Sequence, residues 1–230
     1  MEAAFHLPPA PSVTRMFLVR HGSTDANERR PFILQGCELD GPLSETGHGQ
    51  AVALTRFLTT VDFAAVYSSP MRRALETVAP IAESRGLDVT LINGLRECSV
   101  GRWAGRSWDE IRQHDPRECD RFLADPANER HPGGESYRDL ADRVTPAIAE
   151  LLTRHNGQNI LVVAHNMVNR VVLAAALGVD LRDSRRIRQM NCCVNVLEHR
   201  DGQTEAVTVN SVWHLNDVGS AGSRIGIVGA

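Results

Sequence analysis

The segment MFLVRHG (residues 16–22) carries most of the information about the fold: a short apolar run leads directly into Arg-His-Gly. An apolar run of this length that ends at a polar pair and a glycine is typical of a buried β-strand. The segment NILVVAH (159–165) repeats the pattern, with an apolar run followed at once by a histidine. The sequence therefore predicts two strands that each end at a histidine.

Helical and strand-like patterns alternate around these two strands. We predict further strands at 64–69 and 88–91, helices at 46–58, 136–154 and 166–177, a helix from Pro70 to a stop at Gly86, and a hairpin within 192–210 that turns at Asp201-Gly202. This alternation predicts an α/β fold, a three-layer α/β/α sandwich with a mostly parallel central sheet. Sheets of this kind place functional sites at the carboxyl ends of their strands.

The composition excludes several kinds of enzyme chemistry. All 25 basic residues are arginine, so Schiff-base lysine chemistry, a Walker A phosphate loop and a protein kinase are excluded. Arginine remains, and its planar guanidinium group grips phosphate oxygens two at a time. The formal net charge of -3 gives no reason to expect binding to nucleic acid or to a membrane.

We expect one domain at residues 15–215, with a flexible lead-in at 1–14 and a flexible tail at 216–230. No linker-like or repeated segment interrupts the middle of the chain. The five cysteines are odd in number and form no CxxC motif, which favours free thiols in a reducing, cytoplasmic location. The start lacks the features of a secretory signal, and no apolar run is long enough to cross a membrane.

Three predicted strand ends carry polar residues suited to an anion. Arg20-His21 and His165 follow two strands, and Arg72 lies in the first helical turn after the strand that ends at Ser68-Ser69. Each residue alone is more typical of a structural or surface position, but their shared position at strand ends predicts one site. A metal centre is disfavoured because Arg20 would repel the ion and no HxH or HExxH spacing occurs. The set matches a phosphate dianion better.

Six ordered segments resemble those of the histidine phosphatase superfamily, the phosphoglycerate mutase-like fold. They are LVRHGSTDAN (18–27), LQGCELDGPLSETGHGQA (34–51), VYSSPMRRALETV (66–78), LRECSVGRWAGRSWDEI (95–111), HPGGESYRDLADRV (131–144) and ILVVAHNMVNRVVL (160–173). The resemblance implies a metal-independent and cofactor-independent phosphatase of the phosphatase branch. Its substrate would be a small phosphorylated metabolite, and inorganic phosphate would be a product.

The resemblance also implies a role for each matching residue. His21 would be the nucleophile that forms a phosphohistidine. The phosphoryl oxygens would be held by Arg20, Arg72, His165 and Asn27. Glu97 would protonate the leaving alkoxide and then activate water.

Other positions are expected to contact the substrate. Asn166 stands where the family carries a glycine, and its side chain offers a polar contact to phosphate or substrate. Gln35 and Gly36 follow a slightly long segment after Asn27, and we expect both to help bind the substrate. The sequence does not determine the oligomeric state, so a homodimer stays open.

Two alternatives remain on the same fold. A phosphoglycerate mutase resembles this chain, but those enzymes carry a longer, lysine-containing insert after the segment that matches 66–78. A catalytically silent phosphate-binding protein is expected to lose at least one of the five catalytic residues, and all five are present: Arg20, His21, Arg72, Glu97 and His165.

Overall fold

A computed structural model describes residues 10–216 of the 230-residue chain. Most of the lead-in and tail predicted to be flexible lies outside these described residues. Between 10 and 216 the order of elements is β1 Thr14–Arg20, α1 Asp25–Glu28, α2 Glu45–Phe57, β2 Ala65–Ser68, α3 Arg72–Arg85, β3 Val89–Leu91, α4 Trp108–His114, α5 Pro116–Ala124, α6 Tyr137–Arg154, β4 Asn159–Ala164, α7 Asn166–Leu177, β5 Val194–Arg200 and β6 Gln203–Ser211.

The strands form one sheet in the order β3-β2-β4-β1-β5-β6. The first four of these strands are parallel to one another. The sheet continues with β5, which is antiparallel to β1, and with β6, which is antiparallel to β5. In the pairing of β1 with β4, Arg20 lies opposite Ala164. The residues after these two, His21 and His165, therefore emerge at the same edge of the sheet. The predicted mostly parallel α/β fold is confirmed.

Alternating side chains of β1 explain the three layers. Met16 and Leu18 face a core formed with α6 and α7, whereas Phe17 and Val19 face a second core formed with α2 and α3. Successive side chains of a strand point to opposite faces, so a strand that is apolar at every position must be covered on both.

A left-handed glycine and a capping box fix two of the helix ends. Gly86 ends α3 in the left-handed conformation with a φ of 61°, as its predicted stop requires. At the start of α6, the side chains of Ser136 and Asp139 form a capping box with the two backbone N–H groups. These caps fix the ends of two helices that border the site.

The region between β3 and α6 contains structure that the sequence pattern does not predict. Helices α4 and α5 pack around Trp103, Phe122 and Tyr137, a third apolar cluster separate from the two that flank the sheet. Both helices are short, and their few apolar residues are spread among many charges, so the helical period is hard to see. Aromatic packing supplies the stability that these short helices lack alone.

Among the described residues, no helix combines the length and the hydrophobicity that a membrane crossing requires. All five cysteines are free thiols.

Helix α2 approaches the His21-Gly22 turn so closely that only glycine fits. A Cβ atom on Gly47 would lie 2.0 Å from the carbonyl oxygen of Ser23, and one on Gly22 would lie 2.8 Å from the carbonyl oxygen of Gly47. The contact is between backbones, which cannot swing aside as side chains do. The two glycines thus allow α2 to support the turn that carries His21.

Replacing Gly47 with alanine is expected to destabilise the protein. Although alanine favours a helix by about 1 kcal/mol over glycine, the clash with Ser23 should lower the free energy of unfolding by about 1–3 kcal/mol. Urea unfolding followed by circular dichroism measures the change. Gly41→Ala is the matched control, since a Cβ there meets nothing within 4 Å. Equal stability of the two variants would contradict the close-contact argument.

Candidate active site

The imidazole of His21 lies at the centre of the site, immediately after β1, and is only 2% exposed. Its Nδ1 lies 2.7 Å from the carbonyl oxygen of Gly22, and its Nε2 lies 3.2 Å from Nε of Arg73. A carbonyl oxygen only accepts and a guanidinium nitrogen only donates. The proton therefore sits on Nδ1, and Nε2 carries the lone pair.

Burial keeps this imidazole neutral. Desolvation lowers the pKa of His21 well below its usual value, and the positive charges of Arg73 and Arg20 lower it further. A neutral imidazole at physiological pH is a nucleophile, whereas an imidazolium is not. The surroundings of His21 therefore favour attack by Nε2.

Four elements fix the backbone at His21. The N–H of His21 donates to Ala164 at 3.0 Å, that of Gly22 to Thr77 Oγ1 at 2.9 Å, and that of Ser23 to Gln50 Oε1 at 2.8 Å. The carbonyl of His21 accepts from the N–H of Cys192 at 3.1 Å. These bonds come from β4, α3, α2 and the turn before β5, so the nucleophile is held from all sides of its strand end.

Arg20 provides a buried cation next to the nucleophile. Its Nη1 donates to the carbonyl of Gln189 at 2.7 Å, while its Nε is buried without a hydrogen-bond partner. Desolvation lowers the pKa of Arg20 to about 10, partly offset by the nearby Cys193 and Glu97, so the group stays charged at neutral pH. A buried donor of this kind is well suited to a phosphate oxygen.

His165 stands beside His21, with the ring centroids 5.2 Å apart. Its Nε2 lies 2.7 Å from Ser69 Oγ, and its Nδ1 is buried without a hydrogen-bond partner. Desolvation lowers the pKa of His165 well below its usual value, and the charge of Arg73 adds to this. His165 also occupies the N-cap position of α7, where the backbone N–H groups of the first turn favour an anion.

The carboxyl side chain of Glu97 is also buried, with 5% exposure. Its Oε1 accepts from the N–H of Cys98 at 3.0 Å, and its Oε2 accepts from the N–H of Met167 in the first turn of α7 at 3.3 Å. When ionised, Glu97 partly offsets the lowering of the pKa of Arg20 and of Arg73 that burial causes. An acid, two cations and two neutral histidines therefore share one site.

The amide of Asn27 is oriented by its neighbours. Its Oδ1 accepts from the backbone N–H of Thr24 at 3.2 Å, from Thr24 Oγ1 at 3.0 Å and from Asn191 Nδ2 at 3.0 Å. With the oxygen occupied in this way, Nδ2 is the end of the amide that can donate to an anion.

Comparison of the chain with known protein families shows which family has this arrangement of residues. The profile of the histidine phosphatase superfamily (branch 1) matches residues 16–212. The chain belongs to this superfamily. It is therefore a phosphatase-type enzyme, and the expected phosphoglycerate mutase-like fold is confirmed.

Several proteins resemble this histidine phosphatase along most of their length. "Phosphoserine phosphatase 1" of Hydrogenobacter thermophilus is 30% identical over 89% of this chain and 96% of its own. A Salmonella choleraesuis protein named "Probable phosphoglycerate mutase GpmB" is 30% identical over 88% and 95%. Among solved structures, Bacillus stearothermophilus YhfR is 33% identical with a TM-score of 0.80 over 88% and 99%, and a mycobacterial glucosyl-3-phosphoglycerate phosphatase is 29% identical with a TM-score of 0.78 over 87% and 100%.

The structure corrects the position of one arginine. The side chain of Arg72 is 60% exposed and pairs with Glu76 at 2.6 Å, so the residue expected in the phosphate site lies on the surface of the histidine phosphatase. The next residue, Arg73, is 1% exposed and reaches His21. The reason is helical geometry: Arg72 and Glu76 form an i, i+4 pair on the outer face of α3, whereas Arg73 and Thr77 lie on the inner face.

Arg73 does more than contact the nucleophile. Its Nη1 donates to the carbonyl of Leu39 at 2.8 Å, and its Nη2 donates to that of Gly36 at 2.9 Å. Burial lowers its pKa, an effect opposed by Glu97 and Asp40. The guanidinium group thus ties the loop before α2 to the imidazole of His21.

The remaining sequence-predicted residues lie around this centre. Gln35 Oε1 lies 3.1 Å from Thr24 Oγ1, and Gly36 has the positive φ of 56° that favours glycine. Asn166 begins α7 beside His165, and its Oδ1 is buried without a hydrogen-bond partner. The structure thus brings together every predicted residue except Arg72; contacts of Gln35, Gly36 and Asn166 with substrate stay predictions.

Sequence reasoning missed Arg73 and Asn191. The spacing of Ala74, Val78 and Ile81 marks the inner face of α3 and was a signal for Arg73. Asn191 has no such signal, because its contacts with the carbonyls of His21 and Gly22 and with Asn27 depend on how β5 meets β1.

Within residues 10–216, no group of three or more His, Cys, Asp and Glu side chains is arranged to hold a metal ion.

The two arginines are expected to differ sharply on substitution. Arg73→Ala should lower kcat/KM on the order of 10³-fold, because it removes a donor from the reacting centre. Arg72→Ala removes only a surface ion pair and should change kcat/KM by no more than about 2-fold. Steady-state kinetics with a phosphomonoester measures both values, and circular dichroism checks folding. A larger loss for Arg72→Ala than for Arg73→Ala would contradict the assignment.

Proposed function

We propose that this histidine phosphatase hydrolyses a small phosphomonoester through a phosphohistidine on His21. The observation that carries the proposal is the state of the imidazole, which is neutral, with its lone pair on Nε2 and next to the cation of Arg73. A nucleophile aligned with cations is what transfer of a phosphoryl dianion requires.

In the first half of the reaction, Nε2 of His21 attacks phosphorus. The P–N bond forms as the ester P–O bond breaks, and the ester oxygen leaves as an alcohol by taking a proton from the carboxyl group of Glu97. The phosphoryl oxygens accept hydrogen bonds from Arg20, Arg73, Asn27 and His165. These donors lie on elements that the sheet and helices already fix, so little reorganisation accompanies the reaction.

In the second half, water attacks the phosphohistidine. The carboxylate of Glu97, which has lost its proton, accepts one from the water as the P–N bond breaks. Inorganic phosphate leaves, and His21 returns to its starting state. One carboxyl group thus acts as acid and then as base without any net change in the enzyme.

For the substrate we propose a phosphate ester of a small hydroxy acid. The names of two relatives, a phosphoserine phosphatase and a glucosyl-3-phosphoglycerate phosphatase, both denote phosphorylated or glycosylated three-carbon acids. Asn166 supports a polar leaving group, because it is next to Met167, whose N–H binds the acid Glu97, and because its Oδ1 is buried without a partner. A hydroxyl or ammonium group on the substrate would satisfy that oxygen.

A mutase remains the second candidate, since one relative is named as a phosphoglycerate mutase. The two activities differ in the product that they form from 3-phosphoglycerate. A phosphatase releases inorganic phosphate, whereas a mutase yields 2-phosphoglycerate.

Labelled substrate tests the proposal directly. With ³²P-labelled phosphoserine and 3-phosphoglycerate, the wild-type protein should release phosphate and form an acid-labile phosphoenzyme under rapid quench. His21→Ala should form no phosphoenzyme and lose about 10⁴-fold or more in turnover, because the nucleophile is missing. Turnover by His21→Ala at the wild-type rate would rule out the mechanism, and 2-phosphoglycerate as the main product would favour the mutase.

The role of Glu97 is tested by the leaving group. In Glu97→Gln, kcat/KM should fall about 10²-fold or more for an alkyl phosphate, which needs a proton on its leaving oxygen. The same variant should lose much less with p-nitrophenyl phosphate, whose leaving group is already a weak base. Equal losses with the two substrates would show that Glu97 is not the acid.

A further inference from the structure

The segment that carries Glu97 is held by an ion pair behind the site. Residues 94–100 connect β3 to the helical region; a 3-10 turn, Asn93–Leu95, lies at their start, and another, Gly101–Trp103, follows them. The guanidinium group of Arg143, on α6, and the carboxylate of Glu135, just before α6, lie against this segment. Neither contacts the carboxyl group of Glu97 by a hydrogen bond.

Arg143 uses all five of its N–H donors. Nη1 donates to the carbonyls of Gly94 at 2.8 Å and Arg96 at 2.7 Å, and Nη2 donates to the carbonyl of Glu97 at 3.1 Å. The other two bonds go to Glu135, from Nε at 2.8 Å and from Nη2 at 2.9 Å. A planar fork is needed for this geometry, and the three donors of a lysine cannot reproduce it.

Glu135 contacts the segment on the other side of Glu97, and we call the Arg143–Glu135 pair the clamp. Its Oε2 accepts from the N–H of Ser99 at 2.8 Å, and its own N–H donates to the carbonyl of Ser99 at 2.9 Å. The ion pair therefore binds the backbone before and after Glu97. The pair is about three-quarters buried, with side-chain exposures of 27% and 24%, so water weakens its bonds less than those of a surface pair.

We propose that Arg143 and Glu135 are positioning residues that place the carboxyl group of Glu97 for proton transfer. The inference rests on the proposed role of Glu97 as the acid. A general acid must come within about 2.6–3.2 Å of the leaving oxygen, and an error of about 1 Å is enough to slow a reaction about 10²-fold. An irregular segment does not hold such a position alone, and the clamp supplies the missing constraint.

The alternative is a purely structural clamp, whose loss would slow all substrates alike. The two roles differ in their dependence on the leaving group. Misplacing Glu97 harms only reactions that need a proton on the leaving oxygen, whereas general loosening of the site harms attack by His21 as well. The measured quantity is kcat/KM, because it reports the steps up to phosphoryl transfer and is independent of later hydrolysis of the phosphoenzyme.

The test compares an alkyl phosphate with p-nitrophenyl phosphate in Arg143→Met, Arg143→Lys and Glu135→Gln. We expect kcat/KM for the alkyl phosphate to fall about 10²-fold in Arg143→Met and about 10-fold in the other two variants, with changes of no more than about 3-fold for p-nitrophenyl phosphate. The control is Arg154→Met, on the same helix, which removes only an exposed pair with Glu150 and should behave as wild type.

The outcomes separate this inference from the proposed function. If Glu97→Gln shows the leaving-group difference and the clamp variants do not, positioning by Arg143 and Glu135 is wrong and the acid role stands. If Glu97→Gln shows no difference, the acid role itself fails. Two further results would overturn the proposal: wild-type kcat/KM in Arg143→Lys, or a lower kcat/KM in Arg143→Met with no decrease in Glu135→Gln. Either result would show that the positive charge at position 143 matters and that the ion pair with Glu135 does not.

Should Arg143→Met fail to fold by circular dichroism, Glu135→Gln still decides the question. It keeps the charge of Arg143 and an oxygen that can accept from Ser99, but it removes the negative charge and one of the two oxygens that Arg143 contacts. An equal fall with both substrates in a folded Glu135→Gln protein would assign the clamp a structural role alone.

Discussion

The hydrogen bond from Nε of Arg73 to Nε2 of His21 is the interaction on which the rest of the site depends. It assigns the lone pair of the imidazole, and the same guanidinium group binds the carbonyls of Gly36 and Leu39. Nucleophile, cation and the loop before α2 are thereby fixed relative to one another. Burying the guanidinium group of Arg73 without hydrogen-bond partners would destabilise the folded protein by on the order of several kcal/mol, so the two carbonyls are as necessary as the imidazole.

Neutral histidines and charged arginines coexist in this site because burial acts on them unequally. Desolvation lowers the pKa of both kinds of group, but histidine starts close to physiological pH and arginine starts far above it. The same dry surroundings therefore leave His21 and His165 uncharged and leave Arg20 and Arg73 cationic. The resulting site contains two cations and yet an unprotonated nucleophile.

The sequence predicted the fold well, because β1 and β4 each contain an unbroken apolar run that a polar residue follows closely. It also predicted His21, His165 and Glu97, which follow or lie near recognisable segments. It failed at Arg72, because two adjacent arginines differ only in their angle around α3, and the surface pair with Glu76 had to be recognised to tell them apart. Asn191 could not be predicted, since its partners lie about 170 residues earlier in the chain and the pairing of β5 with β1 brings them together.

The place of β1 in the sheet has a consequence for how the molecule forms. This strand precedes every other described element, but its two neighbours are β4 and β5, which come from the last third of the described chain. Its backbone groups stay without strand partners until those two strands leave the ribosome. Contacts so distant in sequence are slow to form, so the apolar segment 16–19 lacks its strand partners until then and is where a nascent chain needs protection from aggregation.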